Sequence, residues 1–208
     1  MRKAILLLAV LALAAAAAAQ EVPKFQLFGG FSFVRIDAQG QTGSTFVPGS
    51  TLKYNYPGFV IEPQYNFNKW LGFKADVGYH GGTPLSLTGD SFSSARMWEY
   101  MVGPTIFHQS PHARPYVHGL FGGNHVSSDA DAAHAFPGTT SSAFAFDLGG
   151  GLDLKITNAI WIRVGQGDWL RTSHVACSWV DAASCLGLAS HQNNFRFSTG
   201  VVIDWGAR

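Results

Sequence analysis

Acidic and basic residues recur at alternate positions of short segments, a spacing that puts them on one face of an extended chain. A dense set of acids and bases on one face can do acid/base chemistry if a substrate reaches it. The same set can instead fill a polar interior, because buried charges are tolerated when they are paired and hydrogen-bonded. We interpret the set as an interior network of this second kind. Its predicted members are Glu62, Lys74, Asp76, Glu99, Asp147, Asp153, Arg163, Asp168, Arg196 and Asp204.

Two serine-histidine dipeptides, Ser173-His174 and Ser190-His191, are the candidates for nucleophilic catalysis. Neighbouring residues of an extended chain point to opposite sides, so neither dipeptide is itself a nucleophile with its base. A pairing between non-adjacent residues stays open and would suit a lipid-modifying enzyme. The sequence contains no Gly-x-Ser-x-Gly elbow of the lipase type. We therefore expect no catalytic residues.

The histidines do not form a recognisable metal-binding motif. His108, His112 and His118 flank one predicted turn, whereas His125 and His134 lie in or near a predicted loop. None has the i, i+4 spacing on a helix that brings two imidazoles to one metal ion. We predict no metal ion and no cofactor.

The first residues have the pattern of a secretory signal peptide. Arg2 and Lys3 precede an apolar run, Ala4 to Ala19, that ends in small residues. We predict a signal peptide over residues 1–19 and one mature domain over residues 20–208. Cleavage removes two basic residues, so 14 become 12 against 13 acidic residues, and the net charge becomes −1. A nucleic-acid partner is therefore not expected.

The composition of the chain indicates a membrane β-barrel. Charged residues make up 13%, about half of the roughly 25% of a soluble domain, while aromatics make up 13% and there are 24 glycines. After residue 19 no apolar run reaches the roughly 18 residues of a membrane helix. A barrel with a lipid-facing outside and a polar inside explains all three features. A soluble lipocalin-like barrel would need a more charged outside.

Eight segments show the period of two that is typical of half-buried strands. In the last of them, Phe195, Phe197, Val201 and Ile203 alternate with polar or small residues. Segments of this length cross a hydrocarbon layer once when the strand is tilted. The fold predicted is an all-β, eight-stranded antiparallel up-and-down transmembrane barrel. The predicted strands are Phe25 to Ile36, Gly58 to Asn68, Leu71 to His80, Arg96 to His108, Pro115 to Val126, Ala143 to Ile156, Ile160 to Arg171 and Asn194 to Trp205.

The fifth and seventh strands are less regular. In the fifth, the outer face is either Val117 and Phe121 or Tyr116 and Leu120, and the sequence leaves both open. In the seventh, regular alternation would carry Asp168 into lipid, where a charge is costly. We therefore predict a β-bulge near residue 165 or 167 that turns this residue inward.

The links between these strands alternate in length. Short links on one rim and long links on the other are typical of bacterial outer-membrane barrels, whose short turns face the periplasm. The pattern predicts periplasmic termini and extracellular long loops. The short links are Asn68 to Trp70, Gln109 to Arg114 and Thr157-Asn158, and the long ones are Asp37 to Tyr56, Gly81 to Ala95, Ser127 to Ser142 and Thr172 to Gln192.

Two cysteines, Cys177 and Cys185, lie in the last long link. An oxidising compartment favours a disulfide between them over free thiols, and a metal site would need further ligands. Closing so short a loop contributes about 2 to 3 kcal/mol in the chain-entropy model. We predict a disulfide that staples this loop.

Several stretches resemble the OmpA-like outer-membrane β-barrel domain family. The resemblance covers most of the mature chain and implies an eight-stranded barrel in the bacterial outer membrane, with no defined activity. We expect no peptidoglycan-binding domain after the barrel. The stretches are Val102-Gly103-Pro104-Thr105, Pro115 to Gly123, Gly149 to Asp153, Ile162-Arg163, Gln166 to Leu170 and Gln192 to Val202.

Three functions are compatible with these observations. We favour a non-enzymatic envelope protein with a charge-paired interior that presents its loops outside. The alternatives are a small pore or a ligand binder at the loop mouth and, less favoured, a lipid-modifying enzyme. The expected partners are outer-membrane lipid and, during biogenesis, the barrel-insertion machinery and periplasmic chaperones. We expect a monomer.

Overall fold

The computed structural model describes residues 22–39, 51–82, 95–128, 139–175 and 189–206, which form one closed antiparallel barrel. Each strand pairs with its neighbours in sequence, and β1 pairs with β8 to close the sheet. The predicted fold class is confirmed. In the described ranges, no helix is long and apolar enough to span a bilayer. The strands are β1 Phe25–Gln39, β2 Thr51–Asn66, β3 Leu71–Gly82, β4 Ala95–Phe107, β5 Ala113–Ser128, β6 Thr139–Lys155, β7 Ile160–Val175 and β8 Ala189–Trp205.

The strands place apolar side chains outside and polar side chains inside, the reverse of a soluble protein. In β8, Phe195 and Phe197 point outward with exposures of 52% and 40%, whereas Arg196 and Ser198 are fully buried inside. Successive side chains of a strand point to opposite faces, so the alternation in sequence becomes an apolar outside and a polar inside.

The phase of β5 is set by its smaller apolar residues. Val117 and Phe121 face outward with exposures of 57% and 50%, and Tyr116 and Leu120 are buried inside. The tyrosine turns inward because its hydroxyl finds a buried partner, the amide oxygen of Gln166.

The bulge predicted in β7 is confirmed, and it lies at Val164 and Gly165. Opposite β6, Gly165 pairs with Leu152 but Arg163 already pairs with Asp153, so β7 carries one extra residue. The register with β8 shifts at the same place. Without the extra residue, side chains on one side of the bulge would change faces.

The strands are longer at one end than predicted, and the predicted long links are correspondingly too long. β1 runs to Gln39 and β2 begins at Thr51, although the link was expected from Asp37 to Tyr56. Polar residues continue the backbone ladder beyond the part of each strand where apolar residues alternate, so periodicity misses these ends. The four long links occupy residues 40–50, 83–94, 129–138 and 176–188.

We call the end with the three short links the turn end, which also holds the first and last described residues, and the opposite end the loop end. At the turn end, Val22 is buried against Phe107 and Tyr116. The side-chain amide of Asn66 donates to the carbonyl of Pro23 at 2.8 Å and fixes this segment. The first described residues therefore fold across the barrel mouth and narrow it.

Candidate functional site

The ten charged residues predicted to point inward lie inside the barrel, where none is more than 7% exposed. Each occupies an inward position of its strand, so the alternation of the backbone directs all of them to one lumen. They are Glu62 of β2, Lys74 and Asp76 of β3, Glu99 of β4, Asp147 and Asp153 of β6, Arg163 and Asp168 of β7, and Arg196 and Asp204 of β8.

The half of the lumen nearer the turn end holds a balanced set of charges. Arg114 donates to Asp204 at 2.8 Å and to Asp153 at 3.3 Å. Arg163 donates to Asp153 at 2.9 Å and to Glu62 at 2.5 Å. The Lys74 ammonium also donates to Glu62, at 2.8 Å. Three cations thus face three carboxylates in this turn-side cluster, which comprises Glu62, Lys74, Arg114, Asp153, Arg163 and Asp204.

Aromatic rings pack against the cations of the turn-side cluster. The guanidinium carbon of Arg163 lies 3.9 Å from the ring centre of Phe28 and 4.5 Å from that of Tyr116. The guanidinium carbon of Arg114 lies 4.5 Å from the ring centre of Trp161. Cation–π contacts of this kind stabilise desolvated cations, and the rings fill space that water would otherwise occupy.

Gln166 joins the two halves of the lumen. Its amide nitrogen donates to Glu62 and to Asp168, both at 2.8 Å. Its amide oxygen accepts from Arg163 at 2.6 Å and from the hydroxyl of Tyr116. Both ends of this amide are therefore engaged, as expected for a fully buried polar group.

The half of the lumen nearer the loop end is organised around one guanidinium. Arg196 contacts Asp76 at 2.7 Å and Asp168 at 2.8 Å. It also contacts Glu99 at 3.0 Å and Asp147 at 3.1 Å. All five residues of this loop-side cluster are fully buried. One cation therefore serves four carboxylates.

His118 lies between the two clusters. Its Nε2 atom is 3.2 Å from Oδ1 of Asp147 and 3.3 Å from Oδ1 of Asp168. Its Nδ1 atom is 3.3 Å from the ammonium of Lys74, which can only donate. Nδ1 therefore accepts a hydrogen bond here, and the ring proton belongs on Nε2, which donates it to Asp147.

Arg114 and His118 are charged or ionisable members of the network that were not predicted, and neither was the bridging amide of Gln166. The sequence assigned Arg114 to the link from Gln109 and His118 to the flank of that turn, whereas β5 begins at Ala113 and carries both inside. The available signal was the phase of β5. Both residues have the same parity as Tyr116, so choosing Val117 for the outer face would have placed them inside.

The serine-histidine candidates lie near the loop end of the β7–β8 pair. The backbone register places Ser173 opposite His191 and His174 opposite Ser190. The side chains of His174, Ser190 and His191 are outside the described part of the structure. Cys177 and Cys185 also lie outside the described residues, so their disulfide stays a prediction.

The barrel matches a known family. Residues 4–175 match the model of the outer membrane protein beta-barrel domain. The chain belongs to this family. As an outer-membrane β-barrel protein it is integral to the bacterial outer membrane. No curated protein sequence matches the chain.

Three solved structures illustrate how similar this outer-membrane β-barrel protein is to others of its fold. Neisserial surface protein A is 11% identical with a TM-score of 0.57, over 88% of this chain and 97% of that one. OprG from Pseudomonas aeruginosa is 13% identical with a TM-score of 0.55, over 90% and 98%. Ail of Yersinia pestis, in complex with the heparin analogue sucrose octasulfate, is 13% identical with a TM-score of 0.53, over 87% and 99%. At these identities the likeness establishes the fold.

Proposed function

We propose that the protein is a non-enzymatic outer-membrane barrel whose lumen is closed by its own charges and which presents its loop end outside the cell. The observation that carries this proposal is the network that runs from Asp204 near the turn end to Glu99 nearer the loop end. Its members are buried and bonded to one another rather than arranged around an open path. Eight strands leave an interior just wide enough for side chains, which fits a packed core.

The non-enzymatic role is supported by the bonding of the interior charges. All ten of the predicted interior residues contact an oppositely charged partner within the described part of the chain. A general acid or base needs access to a substrate proton, whereas these groups face one another. The less favoured alternative, a lipid-modifying enzyme, would have to use residues at the loop end.

We further propose that the turn end faces the periplasm and that the protein is a monomer bounded by lipid. Two groups of aromatic side chains support a membrane layer between the ends. Near the turn end Phe25 stacks on Trp205 with ring centres 6.0 Å apart, and toward the loop end Tyr79 lies 4.8 Å from Trp98. Aromatic girdles mark the two interfaces of outer-membrane barrels. The proposed partners during biogenesis are the barrel-insertion machinery and periplasmic chaperones.

Thiol labelling tests the closed lumen. Ser198 is fully buried, and its Oγ atom lies 3.0 Å from Oγ of Ser32 where β1 pairs with β8. In a background with Cys177 and Cys185 replaced by serine, Ser198→Cys should resist a small, charged thiol reagent in the folded state and react in urea. His112→Cys, on an exposed turn, is the matched control and should react at once. Equal labelling of both cysteines in the folded barrel would contradict the proposal.

A small pore is the second candidate function. It is favoured by a pocket of about 440 Å³ at the turn end, lined among others by Val22, Lys155, Trp161 and Asp204. Asp204 of the pocket lining is paired with Arg114 at 2.8 Å, and conduction through the lumen would require this pair to part.

A further inference from the structure

The two halves of the lumen differ in formal charge. The turn-side cluster has three carboxylates and three cations, whereas the loop-side cluster has four carboxylates and only Arg196. The loop-side half therefore has a formal charge of −3, counted with every carboxylate ionised and both buried histidines, His80 and His118, neutral. Buried charge that is not compensated is costly, so this half of the lumen attracts further positive charge.

Three ligand atoms converge at the border of the loop-side cluster. One ring nitrogen of His118 and one carboxylate oxygen each of Asp147 and Asp168 lie within 4.8 Å of one another, and all three residues are buried. Arg196 bonds to the Oδ2 atoms of both aspartates. Their Oδ1 atoms face His118 instead. Each aspartate can therefore direct its Oδ1 atom to a shared ligand position near His118 and keep its hydrogen bond to Arg196.

An unsatisfied oxygen marks the same point. Oδ1 of Asp168 is fully buried and accepts no hydrogen bond, because the Nε2 proton of His118, 3.3 Å away, is donated to Asp147 instead. Buried carboxylate oxygens normally have a partner, so this atom calls for a donor or a cation. The lack of a side chain at Gly149 lets both groups come together here, because a Cβ there would lie 2.0 Å from this oxygen and 2.8 Å from Nε2 of His118.

We propose that His118, Asp147 and Asp168 bind one divalent transition-metal ion of the zinc class. The ligand set is one imidazole and two carboxylates, which suits zinc, while magnesium and calcium prefer oxygen alone. The ion binds Nε2 of neutral His118 in the tautomer that carries its proton on Nδ1, so the ring proton moves from Nε2 to Nδ1 and the imidazole stays uncharged. Two positive charges reduce the formal charge of this half from −3 to −1. This inference goes beyond the proposed function, since a closed lumen does not require a metal ion.

Lys74 is the neighbour that must adapt. Its ammonium is 3.3 Å from Nδ1 of His118, but it also donates to Glu62 at 2.8 Å and lies 4.7 Å from the ring centre of Tyr116. These two contacts hold the ammonium without the imidazole. The lysine can therefore give up its bond to His118 and keep its charge paired.

Metal retention by refolded protein tests the proposal. Untagged mature protein is refolded in detergent with Zn²⁺, Mg²⁺ or Ca²⁺, because the buried site fills most readily as the barrel closes. It is then desalted, checked for folding by its shift on unheated gels, and analysed for metal. We expect one Zn²⁺ per barrel and no retained Mg²⁺ or Ca²⁺. Wild-type protein without stoichiometric zinc would overturn the proposal, as would equal retention of Mg²⁺.

Substitutions of the proposed ligands test where the ion binds. His118→Gln and Asp168→Asn should each reduce retained zinc by about tenfold or more, because each removes a ligand. His112→Gln, which removes an exposed histidine from a turn, should retain zinc like the wild type. Zinc lost with His112→Gln but kept with His118→Gln would move the site to the surface and refute the assignment. If one ligand variant does not fold, the other variant and the wild type decide. The thiol-labelling result for Ser198→Cys is independent of this outcome.

Discussion

Asp168 and Arg196 face each other across the β7–β8 ladder, and their side chains are joined by a hydrogen bond of 2.8 Å from Nε to Oδ2. This pair depends on the bulge at Val164 and Gly165. Arg163, just before the bulge, faces the interior. The extra residue turns Asp168, which follows the bulge, to the same side. A local irregularity in one strand therefore makes possible the central ion pair of the loop-side cluster.

Replacing Arg196 with leucine should destabilise the barrel strongly. The change removes the one cation of the loop-side cluster and leaves four buried carboxylates together. Breaking a buried ion pair typically costs about 3 to 5 kcal/mol, so we expect a loss of at least this size in the free energy of unfolding by urea in detergent. Val201→Ile, a lipid-facing change on the same strand, is the control and should cost less than about 1.5 kcal/mol. Equal stability of both variants would show that the lumen tolerates unpaired charge.

Deleting Val164 should remove the bulge and prevent stable folding. With regular alternation restored, either Arg163 or Asp168 must face lipid, and an arginine there costs about 2 to 4 kcal/mol at the membrane midplane. Val164→Ala keeps the extra residue and should fold normally. The unfolding midpoint of each protein in urea compares them. A deletion variant as stable as Val164→Ala would contradict the role given to the bulge.

Gly149→Ala should destabilise the barrel much more than Gly119→Ala. A Cβ at position 149 meets Asp168 and His118 at less than van der Waals distance, whereas a Cβ at position 119 has no atom within 4 Å. Overpacking a filled interior costs about 1 to 3 kcal/mol. Thermal unfolding of the two variants, followed by gel mobility, measures the difference. The expectation fails if the two substitutions lower the midpoint equally.

Much of the fold follows from alternation alone. Lipid outside and charge inside produce a period of two along the strands, so the eight strands and most of the buried charged residues can be located in sequence. Asp168 also needs the bulge in β7. The outward face of β5 could not be predicted, because Tyr116 and Val117 are both acceptable on a lipid-facing surface. The loop ends of the strands were also missed, since backbone pairing there continues without apolar residues.

The partners within the lumen could not be predicted from sequence. Arg196 and Asp76 are 120 positions apart, and their contact depends on how far the strands are staggered around the barrel. The unequal charge of the two halves has the same origin. It becomes visible only when Arg114, taken from sequence as part of a turn, is placed beside Asp153 and Asp204.

The last long link, between β7 and β8, should contain a disulfide between Cys177 and Cys185. A secreted chain meets an oxidising compartment, and two cysteines in one loop form the simplest bridge there. Mass spectrometry of peptides from non-reduced protein should find the two cysteines linked. Two free thiols in protein purified without reductant would refute this prediction.

Planar-bilayer conductance of the refolded wild-type protein tests the closed lumen most directly. If the buried ion pairs fill the barrel, the inserted protein should pass no steady ionic current at voltages where an open porin in the same bilayer conducts. Insertion is verified by recovering folded protein from the membrane. Reproducible single-channel steps from the wild type would contradict the closed lumen and favour the small pore.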